Sequence, residues 1–155
     1  MNGKLTWPIF WALIAVFIVL AISIFTPPAA FAPTFRGSLF LWVFSISGAV
    51  FFLLGVALIF LTVKEKMGGM SKKFLILTGA SAIGLPVFVL LHNAIYGLFI
   101  LWFGADFWDR TGLGDEPVFF IMAIVICPLG FLVGIVGSVV LAIRNKKAKL
   151  SSENT

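Results

Sequence analysis

The sequence predicts an all-α membrane protein, a bundle of four transmembrane helices. Three observations carry that reading. Of the 155 residues, 61% are hydrophobic and only 11% charged, with mean hydropathy +1.16. A water-soluble domain of this size needs far more charge to cover its surface. The apolar residues fall in four long runs, each near the roughly 20 residues that carry a helix across a bilayer. The basic residues gather at the ends of those runs and not within them.

The spans are expected at about 7–25, 39–63, 74–103 and 118–143, in a single membrane domain over 1–145. Thr26-Pro27-Pro28 closes the first run, and Lys64-Glu65-Lys66 closes the second. The third follows Lys72-Lys73. The fourth follows Asp115-Glu116-Pro117, where a proline suits a first helical turn and acids suit the positive end of the helix dipole. The first span has a signal-peptide look, with Lys4 before it and Ala30-Phe31-Ala32 after it. The run is too long for that, and Pro33 would follow the cut, so a retained helix is expected. Residues 146–155 are polar and are expected to form a cytoplasmic tail.

Lys and Arg distribution sets the expected orientation. Nine of them (Lys4, Lys64, Lys66, Lys72, Lys73, Arg144, Lys146, Lys147, Lys149) fall at the two chain ends and the second connection, against two (Arg36, Arg110) in the other connections. The positive-inside rule then places both ends in the cytoplasm, with the plasma membrane of a prokaryote as the expected location. The net charge of +5 reports this topology and contact with anionic headgroups, not nucleic-acid binding.

Phe52-Leu53-Leu54-Gly55-Val56 resembles Phe131-Leu132-Val133-Gly134-Ile135, which suggests two tandem helical hairpins. Coincidence among apolar residues is the alternative. In the connection 27–38, three prolines forbid a regular helix, and Phe31 and Phe35 suit the headgroup boundary.

Chemistry-bearing residues are few. His92, Asn93 and Tyr96 fall near the outer edge of the third span, and polar groups at that depth usually face a bundle interior. They form a candidate cofactor site: a haem ligand, a quinone partner or a proton relay. The competing reading is polar glue between helices. One histidine alone builds no metal site, and bis-histidine haem needs a second chain. The acids of the connection 104–117 lack the spacing of a calcium loop, so its Trp102, Phe103, Phe107 and Trp108 read as an aromatic belt, matched by Trp42. Gly84 with Pro86, and Pro128 after Cys127, mark expected kinks or hinges. Gly130, Gly134 and Ser138, with Gly137 beside them, form a small-residue stripe for close helix packing. Ser45 and Gly48, or Gly79, Ala80 and Gly84, are expected to face it.

No Asp, Glu, Lys or Arg lies inside a span, and no catalytic triad, metal motif or phosphate loop is present. That points away from an enzyme and from ion-coupled transport. The expected function is a small non-catalytic subunit, for accessory, assembly or stabilising work in a larger membrane complex or homo-oligomer. A haem- or quinone-binding protein is the alternative, and an oligomeric transporter of a small solute the second.

Overall fold

The computed structural model describes residues 4–25 and 38–153; the connection 27–38 with Phe31, Phe35 and Arg36 falls almost wholly outside them. The described chain is helical, with no strand: α1 Thr6–Phe25, α2 Ser38–Lys64, α3 Gly69–Phe103, α4 Phe107–Arg110, α5 Pro117–Ile121 and α6 Cys127–Glu153. A π-helical turn, Met122–Ile126, joins α5 to α6. Four helical stretches are long and apolar enough to cross a membrane: α1, α2, α3 and the α5–α6 run. Against expectation, α6 does not stop at Arg144; Lys146 to Glu153 continue the helix.

α3 is the axis, with α2 and α6 packed along it and α1 laid on α2. Close approach is made by missing side chains. A Cβ on Gly55 would lie 3.0 Å from the Gly79 carbonyl oxygen, and one on Gly79 would lie 2.9 Å from that of Gly55. The two backbones therefore touch where α2 crosses α3. On the other side of α3, Gly134 lies against the backbone and hydroxyl of Thr78, Gly130 against Ser81, and Gly137 on the ring of Phe74. The segments around Gly55 and Gly134 thus serve α3 from two sides.

The stripe of the fourth span accordingly faces the protein's own α3. Of the surfaces expected to receive it, Gly79 takes α2 instead, and Ala80 is exposed. Ser45 is exposed and Gly48 has open space around it, so neither meets the stripe. Thr62 and Thr78 are buried in these seams, and each hydroxyl donates to its own helix, to Leu58 O and Phe74 O at 2.6 and 2.9 Å. Such back-bonding satisfies a hydroxyl in a place without water.

Where α1, α2 and α6 converge, Phe17, Phe51 and Phe131 meet as a ring cluster, with centroids 4.5 to 6.0 Å apart. Aromatic rings fill such a three-way junction with few rotatable bonds. The expected hinges also pack: a Cβ on Gly84 would meet Cys127 Sγ at 2.8 Å, so the two proline-bearing stretches touch each other. α3 runs unbroken across Pro86. Pro128 follows directly on the π turn, in which the Cys127 N–H reaches back to Met122 O. A widened turn relieves the clash that a proline ring otherwise makes with the carbonyl four residues earlier.

The basic end is closed by Glu65. Its carboxylate accepts from Leu5 N at 3.0 Å, Thr6 N at 3.4 Å and the Thr6 hydroxyl at 2.6 Å. A carboxylate 59 residues away in sequence so caps the first turn of α1, whose N–H groups have no helical partner. The Thr6 hydroxyl, then the Leu5 N–H, hold the Glu65 carboxyl below its usual range. In the sequence, Glu65 stands out only as part of the Lys64-Glu65-Lys66 terminator of the second span.

Candidate functional site

At the opposite, acidic end, the last third of α3 meets the 104–117 connection and α5. The hub is Glu116, 5% exposed. It is the N-cap of α5: Oε1 accepts from Val118 N at 2.8 Å, and Oε2 from Phe119 N at 3.0 Å. Pro117 at the next position needs no acceptor, so the cap serves the donors that remain. Asp115 in turn accepts the Glu116 N–H at 2.6 Å.

His92 closes on this hub from α3. Its Nδ1 lies 3.1 Å from the Glu116 carbonyl oxygen and 3.4 Å from Oε2, and its Nε2 lies 3.6 Å from Asp115 Oδ2. A carbonyl oxygen only accepts, so Nδ1 is the nitrogen that donates. Phe120 covers one side of the imidazole at 5.5 Å, and the Tyr96 ring lies 6.5 Å from it with the planes 30° apart.

Tyr96 stacks on Trp108 with centroids 5.8 Å apart and planes only 8° from parallel. The Trp108 indole donates to the Tyr96 carbonyl at 3.2 Å, and its own carbonyl receives Thr111 Oγ1 and Gly114 N. Trp108 is 7% exposed, so it is not a belt residue as expected; it is the buried pin that holds the connection on α3. Trp42, Trp102 and Phe103 remain exposed, as a belt requires. Arg110 tightens the same loop, donating to Phe103 O at 2.8 Å and pairing with Asp106 at 3.1 Å.

No protein-family model, curated protein or solved structure matches this chain.

The structure brings His92 and Tyr96 to one face, as their spacing of four dictates. Asn93 is not with them. One residue on, a helix has turned about 100°, and Asn93 is exposed on the far side. Its Nδ2 donates to Val89 O at 2.8 Å, inside its own helix. The sequence reading missed Glu116 and Trp108 as partners. Glutamate before proline at a helix start signals a cap, but nothing local pairs it with a histidine 24 residues earlier. Among the described residues, no group of three or more His, Cys, Asp or Glu is arranged to hold a metal ion.

Chemically, the site is a clasp. The His92, Glu116 and Trp108 polar groups named above are directed at one another or at main chain, which ties the ends of α3 and α5 together. Asn93 is exposed and takes no part in the clasp.

Proposed function

We propose that this chain is a non-catalytic integral membrane protein, an accessory or assembly subunit that binds a transmembrane helix of a larger membrane complex. One observation carries this reading: the exposed face on the last third of α3. Leu90, Asn93, Ala94, Gly97 and Leu101 are all exposed and lie on one stripe; Leu90 is 70% and Leu101 79% exposed. A Cβ on Gly97 would meet nothing within 4 Å, so this glycine is not needed by the protein's own fold.

In lipid, apolar area alone does not draw helices together; close backbone approach and interhelical hydrogen bonds do. Gly97 and Ala94 supply a shallow backbone surface. Asn93 spends one N–H on Val89, and its other N–H and its carbonyl are available to a neighbour. A partner helix carrying a polar side chain at this depth satisfies both conditions. α3 is also long: 35 residues at about 1.5 Å each exceed a hydrocarbon core of about 30 Å. Its acidic end therefore reaches the headgroup level, where a partner's flanking segment also docks.

Native-size analysis in mild detergent, with identification of co-purifying chains, tests the proposal. Wild-type protein should migrate above monomer size. Asn93→Leu and Gly97→Leu should release a monomer with an unchanged melting temperature, because neither side chain serves the bundle. A wild-type monomer, or a complex that survives both substitutions, would show that this face meets lipid alone.

The clasp geometry also supports this reading over the haem or quinone alternative. Both ring nitrogens of His92 face protein oxygens, whereas an axial haem ligand must turn one to iron. The proposed location is a prokaryotic plasma membrane, with both ends cytoplasmic. It rests on the nine-to-two division of Lys and Arg. A reporter active only in the cytoplasm should work when fused after Thr155 and fail when inserted at Gly112. The reverse pattern would invert the topology.

A further inference from the structure

We propose that the groove between α1 and α6 at the basic end binds an anionic glycerophospholipid, its phosphate at the mouth and an acyl chain along the floor. The two helices meet at Phe17 and Phe131 and leave a groove of about 720 Å³ towards that end. Trp7, Trp11, Val139, Ala142, Ile143, Asn145 and Lys146 line it.

The lining is graded along the helices. Asn145, Lys146 and Trp7 supply polar groups at the end nearest the helix termini. Trp11, one turn inward from Trp7, and Val139 and Ile143, inward of Asn145, present mainly hydrocarbon. A phospholipid has the same polarity profile over the same distance, with an anionic, acceptor-only phosphate above ester carbonyls and a hydrocarbon chain.

Two further observations favour that occupant. The Trp7 indole N–H is buried and has no hydrogen-bond partner, although the ring itself is fixed edge-on against Phe10 at 5.4 Å. Buried indole donors in native folds are normally paired, and an ester or phosphate oxygen is an acceptor of the right kind. Among the described residues, no carboxylate lies within ion-pair distance of Lys146. Lys64, Lys66, Lys72, Lys73, Arg144 and Lys147 flank this end of the helices and add to the positive field. The one carboxylate described nearby, Glu65, is already committed to the α1 N-terminus. A zwitterionic headgroup brings its own cation into this field, and an anionic one does not.

The test uses the full chain, stripped of lipid in detergent and titrated with phosphatidylglycerol or phosphatidylcholine of the same acyl chains. Native mass spectrometry reads what stays bound. Phosphatidylglycerol should be retained at collision energies that strip phosphatidylcholine. Trp7→Phe combined with Lys146→Gln should lower that retention by about fivefold or more. The lipid-free melting temperature should change little, because phenylalanine keeps an aromatic ring against Phe10 and Lys146 is exposed. Should the double variant fail to fold, Lys146→Gln alone makes the comparison. Equal retention of the two lipids, or retention unaffected by the substitutions, overturns the proposal. Displacement of the lipid by inorganic phosphate would also overturn it, since the groove would then hold only the anion.

Discussion

Gly134→Leu should abolish the folded bundle. At this position α6 rests on the main chain of α3: an added Cβ would come within 2.8 Å of Thr78 N and 3.1 Å of Phe74 O. Overpacking that side chains can absorb costs about 1–3 kcal/mol. Here the obstructing atoms include backbone held in a helix, so the cost should exceed ~3 kcal/mol, which is more than a small bundle tolerates well. Thermal unfolding in detergent, with the yield of monodisperse protein, measures it. Val133→Leu is the matched control, because Val133 is 54% exposed. Ile135 is a poor control, because it packs on the core cluster. A Gly134→Leu protein with wild-type yield and melting temperature would show that α6 does not lie on α3 as described.

Glu116→Ala should have the next largest effect, and one well above that of His92→Ala. The glutamate caps α5 and receives His92 at once. Loss of a cap costs roughly 0.5–2 kcal/mol, and because the carboxylate serves both Val118 N and Phe119 N, the second donor left without an acceptor adds a share of the roughly 1–3 kcal/mol penalty for an unsatisfied buried group. Together they predict about 2–3 kcal/mol. His92→Ala leaves the cap intact and removes one intramembrane bond, worth about 1 kcal/mol or less. A double-mutant cycle in mixed micelles isolates the pair, and Glu116→Gln, which keeps an acceptor oxygen, should recover part of the loss. Equal effects of the two alanine substitutions would mean that the cap carries no weight. Bound haem or quinone in the wild type, lost in His92→Ala, would favour the alternative function over the clasp.

The helices were legible in the sequence because lipid imposes a simple demand. Each crossing needs an unbroken apolar run, and each end tolerates charge, so Lys64, Lys72 and Asp115 bracket spans without any knowledge of packing. The glycine stripe was legible as a contact surface but not in its partner. Gly134 could be seen to admit a close neighbour; that the neighbour is Thr78 and not Ser45 or Gly48 depends on how α3 turns between α2 and α6. The clasp was half legible. Spacing put His92 and Tyr96 on one face, and the same spacing should have separated Asn93 from them. Its partners Glu116 and Trp108 come from a connection whose path is set by stacking on Tyr96, and no local pattern announces that. Glu65 was missed for the same reason, since its role is defined by α1 at the other end of a hairpin.

The π turn at Met122–Ile126 can be understood as an angular correction. Along an α-helix every residue advances the side-chain direction by about 100°, so one residue more or less in a turn rotates all that follows by that amount. The run from Glu116 to Ser138 must present two things to the same neighbour. Its beginning offers the cap that His92 grips, and its later part offers Gly130 and Gly134 to Ser81 and Thr78. With a uniform α-helix between them, the glycines would be swung away whenever Glu116 is in place. The widened turn resets the phase, and Ala123 within it and Cys127 directly after it are both buried. One face of α3 is thereby read continuously by a helix whose regular geometry would have read it only in part.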